Sequence, residues 1–312
     1  MTKIVVTGAA GLVGQNLTLL LQQAGFTNLV VIDKHAGNLG LLARLSPNVV
    51  TVCADLAEPG DWEQSLAGAD ALVMLHAQIT GKTRELFDRN NLVATERVLA
   101  AAKAANVAYV VHISSSVVNS VADDDYTDTK KRQEQMFRAS GLPGVVLRPT
   151  LMFGWFDPKH FGWLARFMER VPIFPIPGHG RYMRQPLYNR DFCRAILWCL
   201  QNRPVAQTYD LVGQDRVDYI DIIREIRSVK QLRTPIVCIP YGLFHLLLRV
   251  YALFSDRPPF TADQLKALTA GDDFSGVDIE ATFGFRPMPF KAALQETFCD
   301  PVYSQYVVER AQ

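Results

Sequence analysis

The chain has 312 residues, of which 49% are hydrophobic and 20% are charged, and its formal net charge is +1. This length and composition predict a sizeable core in one large and one smaller domain, while the near-neutral charge gives no electrostatic footprint for nucleic acid. The five cysteines are scattered, odd in number and without a CxxC pair, which indicates reduced thiols and no metal site. Because no secretory signal precedes the first predicted strand, we expect a cytoplasmic protein.

Short β-branched runs alternate with helical segments through the N-terminal half, a pattern typical of parallel βαβ units. It predicts an α/β fold with a doubly wound parallel sheet of the Rossmann type, which binds its ligand at the carboxyl ends of the strands. The predicted strands are Lys3–Thr7, Leu29–Asp33, Val49–Ala54, Ala71–Ala77, Tyr109–Ser114 and Val145–Arg148, and the clearest predicted helices are Leu12–Ala24, Arg84–Ala105 and Thr127–Ala139.

After Pro149 aromatic residues, prolines and glycines cluster, notably around 153–158 and 173–180, which indicates loops of a substrate-binding region. We therefore predict an NAD(P)-binding domain over 1–150, with 185–215 as a candidate to complete its sheet, and a smaller, mixed α/β substrate-binding region over 151–312. Its predicted helices are Asp191–Gln201, Tyr219–Val229, Gly242–Phe254 and Thr261–Thr269, and its predicted strands are Tyr209–Val212 and Pro235–Ile239.

The most membrane-like stretch is 241–254, which His245 and Arg249 interrupt. It is too short to span a bilayer, so no transmembrane segment is predicted. We expect a packed helix there, with contact to a membrane surface as the alternative.

Three glycines, Gly8, Gly11 and Gly14, follow the first predicted strand and, with Leu12 and Val13, open the first predicted helix. Such a turn leaves room for phosphates, while the helix N-terminus offers unpaired N–H groups and a positive dipole end. The strand before and the helix after favour a pyrophosphate-binding turn over a turn without a ligand.

Acidic residues end the next two predicted strands. Asp33, nineteen residues beyond Gly14, is placed to accept hydrogen bonds from both adenosine ribose hydroxyls. It favours NAD as the cofactor, although Lys34 beside it keeps NADP open. Asp55, followed by Leu56, either approaches the adenine amino group or caps a helix.

The fourth predicted strand ends in His76, Ala77 and Gln78, beneath the expected nicotinamide ribose. The small side chain of Ala77 suits close approach of the cofactor. His76 is also consistent with a neutral, packed side chain, so the prediction of a cofactor site here depends little on it.

Ser115, Tyr126 and Lys130 form the set that carries chemistry. A tyrosine phenol titrates near ~10, and a nearby ammonium favours the phenolate and lowers that pKa. Lys130 lies one helical turn beyond Tyr126, on the same helix face, from where it also reaches a bound ribose. Ser115 follows a predicted strand and can hydrogen-bond the same substrate oxygen, so the three residues predict proton transfer at a C–O bond beside a nicotinamide.

In this order the motifs resemble the extended short-chain dehydrogenase/reductases, specifically the NAD-dependent epimerase/dehydratase group. Individually they are weak, but their succession along nearly the whole chain is specific. They are Gly8-x-x-Gly11-x-x-Gly14, Asp33, Asp55-Leu56, His76-Ala77-Gln78, Asn91-Leu-Val-Ala-Thr95, Ser114-Ser115, Tyr126-x-x-x-Lys130, the segment 147–154, and Arg184 with Asp191.

The resemblance implies roles for the matching residues. Tyr126 is the catalytic base or acid, Lys130 its electrostatic partner, and Ser115 the donor that polarises a carbonyl. Asn91 is implied to support a water relay from its helix. Members of the group commonly form homodimers through the helices that hold the catalytic Asn and Tyr, so we expect a homodimer.

The same resemblance implies a small-molecule substrate, most plausibly a nucleotide sugar. Ser115, Ser116 and Tyr126 are then expected to contact the sugar. Arg184 is expected to contact the diphosphate, with an ordinary surface arginine as the alternative.

Three departures limit these expectations. Ser115-Ser116-Val117 stands where sugar dehydratases carry an Asp-Glu pair, so a dehydratase is not expected. The segment from Ser115 to Tyr126 is short, and Asn119 stands where a tyrosine is often found, which alters the pocket wall. The C-terminal half also resembles the branch with the respiratory complex I accessory subunit, some of whose members bind a dinucleotide without known turnover.

The sequence thus favours NAD(P)-dependent hydride transfer at a sugar carbon, foremost by a nucleotide-sugar epimerase. A ketoreductase of a nucleotide sugar or of a lipid-like ketone is the first alternative. A non-catalytic dinucleotide-binding assembly protein is the second. The intact set of Ser115, Tyr126 and Lys130 favours an enzyme, because binding alone does not require all three.

Overall fold

The structure is a computed structural model that describes residues 2–121, 124–252, 265, 268–269, 271 and 274–309. Its strands are β1 (Lys3–Thr7), β2 (Asn28–Asp33), β3 (Val50–Cys53), β4 (Ala71–Met74), β5 (Val110–Ile113), β6 (Gly144–Pro149), β7 (Met152–Phe153), β8 (Phe174–Pro177), β9 (Met183–Arg184), β10 (Leu187–Tyr188), β11 (Thr208–Leu211), β12 (Val217–Asp218) and β13 (Ile236–Ile239).

Seven of these strands form one parallel sheet in the order β11-β6-β5-β4-β1-β2-β3. The order reverses direction at β1 and β4, which is the doubly wound arrangement. The predicted α/β fold is therefore confirmed. The strand β11, within the segment 185–215, lies beside β6 in this sheet.

The sheet is buried on both faces, which explains why its strands are continuous apolar runs. Successive side chains of β1 point to opposite faces: Ile4 and Val6 pack in one apolar cluster and Val5 in another. The helices are α1 (Leu12–Gln23), α2 (Ala36–Leu45), α3 (Arg84–Phe87), α4 (Ala94–Ala104), α5 (Asp125–Ala139), α6 (Phe161–Arg170), α7 (Asn189–Asn202), α8 (Tyr219–Val229), α9 (Tyr241–Ala252), α10 (Ile279–Phe283) and α11 (Phe290–Cys299). The first cluster includes residues of α1, α2 and α7, and the second includes residues of α4 and α5.

Most predicted elements are found within one to three residues of their expected ends. The single helix expected over Arg84–Ala105 is instead divided by a π-helical segment at Asp88–Val93. The sequence patterns do not reveal α2, α6 or α11. The predicted helix Thr261–Thr269 and the end of Gly242–Phe254 lie mostly outside the described residues.

The C-terminal region packs its own small core. Residues of α6, β8 and α8 form this core, including Met168, Phe174 and Ile223. The expectation of a loop throughout 173–180 was wrong, because β8 pairs in parallel with β13. A two-stranded sheet consists only of edge strands, where the prolines of β8 are tolerated.

In the described parts of the chain, every helix is too short or too polar to cross a bilayer. The same parts hold no set of three or more His, Cys, Asp or Glu side chains arranged to bind a metal ion.

Gly14→Ala is expected to destabilise the protein by roughly 1–3 kcal/mol, because a Cβ at Gly14 would lie 2.2 Å from the carbonyl oxygen of Ala9. Gly40→Ala, in α2, is the matched control, since a Cβ there meets no atom within 4 Å. It is expected to stabilise the protein by up to about 1 kcal/mol through helix propensity. Urea unfolding measures both changes, and equal stabilities would show that β1 and α1 are not packed this closely.

Candidate active site

The glycine turn between β1 and α1 combines two tightly packed glycines with one that faces open space. Gly8 has φ +68°, and a Cβ there would lie 2.5 Å from the backbone nitrogen of His76. Gly14 is equally confined by Ala9. A Cβ added at Gly11 would meet the Gly8 oxygen as its nearest atom, at 3.6 Å, which is an ordinary contact, so this side of the turn has room for a ligand.

The N-terminus of α1 opens onto that space. Gly11 is its N-cap residue and makes no side-chain cap hydrogen bond. Leu12 and Val13, the first two helical residues, are half-buried. Because the first N–H groups of a helix have no intrahelical partner, the turn and helix together form a fitting cradle for a dinucleotide diphosphate.

Asp33 locks the glycine turn to the end of β2. One carboxylate oxygen accepts a hydrogen bond from the Ala10 N–H at 3.0 Å, and the other accepts one from the His35 N–H at 2.9 Å. Each carboxylate oxygen retains a further lone pair. Contact with a ribose therefore stays a prediction that this geometry permits.

Lys34 and Asp55 are joined through neighbouring side chains. The Lys34 ammonium donates to Asn90 Oδ1 at 2.7 Å and lies 3.9 Å from Asp55 Oδ2. Asp55 accepts hydrogen bonds from the Ala57 N–H at 3.0 Å and from Arg89 at 2.7 Å. Partial burial acts to raise the pKa of Asp55, but these hydrogen bonds outweigh it and the pKa is lowered.

The Asp55 carboxylate therefore caps the turn that follows β3. This arrangement is close to the alternative in which Asp55 caps a helix. Leu56 beside it is buried. Contact of Asp55 with an adenine stays a prediction.

His76 is a neutral bridge beneath the turn. Its Nδ1 lies 2.9 Å from Thr7 Oγ1 and its Nε2 lies 3.1 Å from Thr95 Oγ1. Burial, reinforced by the charge of Lys130, lowers the pKa of His76 to about 3. The imidazole is thus uncharged at neutral pH, and next to it Ala77 is exposed at the strand exit.

Asn91 ties the exit of β4 to α5. It is completely buried, and its Oδ1 accepts from the Gln78 N–H at 2.6 Å. Its amide donates to the Gln78 oxygen at 3.1 Å and to Thr129 Oγ1 at 2.9 Å. Both amide hydrogens are used in holding these elements, so a water relay through Asn91 would require one bond to open and stays a prediction.

Tyr126 and Ser115 come together at the carboxyl end of β5. The Ser115 hydroxyl acts on the Tyr126 phenol, and Ser115 Oγ accepts the Val117 N–H at 3.4 Å, capping a short 3-10 turn over Ser116–Asn119. Burial raises the pKa of Tyr126, the Ser115 hydroxyl lowers it, and the nearby Asp124 carboxylate raises it. The net effect is a raised pKa, so the phenol is protonated at neutral pH.

This result differs from the expected lowering of the Tyr126 pKa by Lys130. The Lys130 side chain is 1% exposed, and its ammonium turns inward to donate to the Ile113 oxygen of β5 at 2.9 Å. Burial lowers the pKa of Lys130 to about 7, although the charge of Glu134 acts to raise it. An ammonium has three donors, and Ile113 is the acceptor that the described residues provide, which leaves donors for a cofactor ribose.

The two remaining predicted substrate residues lie in different places. Ser116 is buried directly after Ser115. Arg184 is half-buried on the small β9–β12 sheet, pairs in register with Val217, and donates to the Leu268 oxygen. Arg184 is therefore a half-buried arginine with a backbone partner, and its contact with a diphosphate stays a prediction.

The sequence reasoning missed the ion pairs that hold α5 in place. Glu134 is buried and accepts hydrogen bonds from Arg148 at 2.6 Å and from Arg138 at 2.8 Å. Burial acts to raise the pKa of Glu134, but these hydrogen bonds lower it overall. The sequence feature that could have revealed this buried carboxylate is the position of Glu134 four residues after Lys130, on the same helix face.

Several known proteins resemble this chain in sequence. The model of the NAD dependent epimerase/dehydratase family matches residues 4–211. A ceramide reductase of Caulobacter vibrioides is 24% identical over 239 residues, 76% of this chain and 73% of that protein. The mitochondrial NADH dehydrogenase (ubiquinone) 1 alpha subcomplex subunit 9 of Dictyostelium discoideum is 22% identical over 289 residues, 89% of this chain and 77% of that protein.

Among solved structures, UDP-glucuronic acid 4-epimerase from Bacillus cereus in complex with NAD superposes with a TM-score of 0.73 at 21% identity. The match covers 95% of this chain and 97% of that one. At this identity the likeness shows the fold alone. The sequence matches confirm the resemblances that the motifs indicate.

Gly11→Ala is expected to leave the fold intact and to weaken NADH binding by about tenfold or more, because the added methyl group occupies the open side of the turn. Isothermal titration calorimetry measures the affinity, and thermal unfolding checks the fold. Gly40→Ala serves again as the control. Undiminished affinity in the Gly11 variant would show that the diphosphate does not lie over this turn.

Lys130→Met is expected to change how stability depends on pH. The pKa of Lys130 is about 7 in the folded protein and near ~10.5 when unfolded, so between these values the unfolded chain binds more protons and this group adds stability as pH rises. The variant should be the more stable protein near pH 7, and its advantage should shrink by up to about 1.4 kcal/mol per pH unit above that.

Urea titrations from neutral to alkaline pH test this, with exposed Lys103→Met as the control substitution. A constant difference between wild type and the Lys130 variant would contradict burial of the ammonium.

Proposed function

Because the chain belongs to the NAD-dependent epimerase/dehydratase family, we propose that it reduces a ketone to a secondary alcohol with NAD(P)H. The observation that carries the proposal is that the Ser115 hydroxyl interacts with the half-buried Tyr126 phenol beyond the end of β5. Two adjacent hydroxyl donors suit one carbonyl oxygen, which accepts two hydrogen bonds.

The residues around this pair fit a dinucleotide. The open side of Gly11 and the N-terminus of α1 would hold the diphosphate, Asp33 the adenosine ribose, and Lys130 the nicotinamide ribose. When bound, the reduced nicotinamide supplies the hydride that adds to the carbonyl carbon. NAD is favoured over NADP, because the Asp33 carboxylate would repel a 2′-phosphate and the Lys34 ammonium is already held by Asn90.

Proton transfer falls to Tyr126. Its phenol donates a proton to the carbonyl oxygen as the carbon is reduced, so the ketone becomes an alcohol and the tyrosine becomes a phenolate. Ser115 holds the oxygen in place and stabilises its developing charge. Because the Tyr126 pKa is raised, the phenolate readily regains a proton from solvent.

Similarity to a ceramide reductase favours reduction over epimerisation. In that direction the Tyr126 phenol serves as the proton donor.

The proposal keeps two expectations from the sequence. One is the boundary near residue 150 between the cofactor-binding domain and the substrate-binding region. The other is a homodimer that pairs through α4 and α5.

Epimerisation of a nucleotide sugar is the second candidate. Arg184 favours it, because a guanidinium with five donors can bind a diphosphate in addition to the Leu268 oxygen. The two candidates differ in net cofactor use. A reductase consumes NADH with a ketone, whereas an epimerase interconverts UDP-glucose and its C4 epimer without added cofactor.

Similarity to a respiratory-chain subunit raises a non-catalytic role as a further alternative. Such a protein has no need of Tyr126 and Ser115 in hydrogen-bonding contact. Turnover is therefore the discriminating observation.

Tyr126→Phe is expected to lower ketone reduction by about a hundredfold or more while NADH affinity stays within about twofold, because only the proton donor is removed. NADH oxidation with a panel of ketones and NADH titration measure the two effects. Tyr306→Phe, in a separate apolar cluster, is the matched control. Undiminished turnover by the Tyr126 variant would remove the mechanism.

A further inference from the structure

A cavity lies in the C-terminal region between α6, β8, α8, β13 and α9. Its volume is about 210 Å³, and it opens to the surface. Trp163, Phe167, Phe174, Phe244 and Leu248 are among the residues that line it. None of the previously predicted site residues lies in its wall.

The chemistry of the wall excludes a nucleotide or a sugar as its occupant. Every described lining residue is aliphatic, aromatic or proline, and no charged side chain is among them. A diphosphate or a sugar hydroxyl placed there would lose its hydrogen bonds to water without gaining new ones. An alkyl or isoprenoid chain has no such groups, and its burial is favourable in proportion to the area removed from water.

The cavity adjoins the candidate substrate arginine. Leu268 lines the cavity with its side chain, and its backbone oxygen accepts the hydrogen bond of Arg184. Tyr219 also lines the cavity, and the charge of Arg184 acts on its phenol. Two separate contacts therefore put Arg184 at the polar edge of the apolar cavity.

A short chain of contacts leads from Arg184 back to the central sheet. The next residue, Gln185, accepts a hydrogen bond through its backbone oxygen from Thr150 Oγ1 at 3.4 Å. Thr150 directly follows β6, the neighbour of β5, at whose end Ser115 lies. These contacts join the polar edge of the cavity to the central sheet.

The mouth of the cavity lies on α9. Leu247 lines the cavity and is also 50% exposed, so it marks where the cavity meets the surface. Leu243, Leu246 and Val250 lie on the same face and are exposed too. A large exposed apolar set of this kind is uncommon at a surface without a binding role.

We propose that this cavity holds the apolar chain of the ketone substrate, so that the substrate is a lipid-like amphiphile. The identification of the occupant as a ketone substrate rests on the proposed reductase function. The apolar binding site is inferred from the cavity alone. The reacting end lies toward Tyr126 and the chain lies between α6 and α9.

The test uses the full chain and dansyl-labelled undecanoic acid, whose fluorescence rises in an apolar site. Leu248→Trp fills the cavity and is expected to weaken probe binding by about tenfold or more. Val205→Trp adds the same side chain at an exposed position that does not line the cavity and is the control, with affinity within about twofold of wild type. Equal weakening by both variants would show surface adsorption and overturn the proposal.

Competition in the wild-type protein provides a second readout that needs no variant. Dodecanone is expected to displace the probe, and UDP-glucose and NADH are not. Displacement by UDP-glucose, or none by dodecanone, would contradict an apolar-chain site.

Turnover then separates this inference from the proposed function. With straight-chain methyl ketones from butanone to dodecanone, kcat/KM is expected to rise with chain length, and Leu248→Trp is expected to abolish that rise. Reduction that is independent of chain length would overturn the inference and keep the reductase. Probe binding sensitive to Leu248→Trp without reduction of any ketone would overturn the reductase and keep the apolar site.

Discussion

The buried hydrogen bond from the Lys130 ammonium to the Ile113 oxygen is the constraint on which the site depends. It ties α5 to the end of β5, and one turn earlier on the same helix Tyr126 meets the Ser115 hydroxyl. Burying an ammonium with a single carbonyl partner is unfavourable by several kcal/mol, which is why the pKa of Lys130 falls to about 7. Perturbed pKa values of this kind cluster at functional sites, and under the proposed function a ribose hydroxyl of the cofactor is a further partner for Lys130.

The glycine turn and the Tyr126–Ser115 pair lie at the same edge of the sheet because its strands are parallel. Gly8 and Gly14 are required by packing, since β1, α1 and the backbone of His76 approach too closely for a side chain. Gly11 is not required by packing, which is what the proposed role as a ligand-binding glycine predicts. Asp33 stabilises the turn itself, so its carboxylate serves the fold whether or not a ribose is bound.

The fold and the principal site residues follow from sequence because both are encoded locally. Apolar runs bounded by glycines indicated the central strands, and the four-residue spacing put Tyr126 and Lys130 on one helix face. The direction of the Lys130 side chain did not follow, because it is decided by a carbonyl on a strand that is remote in sequence. The expected lowering of the Tyr126 pKa failed for the same reason.

Long-range contacts explain the other gaps. Asn91 was recognised by type and position, but its bonds to Gln78 and Thr129 depend on a π-helical segment that no periodicity indicates. The partner of Arg184 is a backbone oxygen 84 residues away. The apolar cavity is assembled from five elements that are distant in sequence, α6, β8, α8, β13 and α9, together with Leu268.

The protonation state of Tyr126 tests the central claim most directly. In protein labelled with carbon-13 at the tyrosine ζ position, the Tyr126 signal is assigned by its absence from the Tyr126→Phe spectrum and followed against pH. Because burial raises the Tyr126 pKa, this signal is expected to stay at the protonated position beyond the ordinary tyrosine pKa near ~10. Titration at or near neutral pH would contradict the burial that raises the Tyr126 pKa and the account of the site built on it.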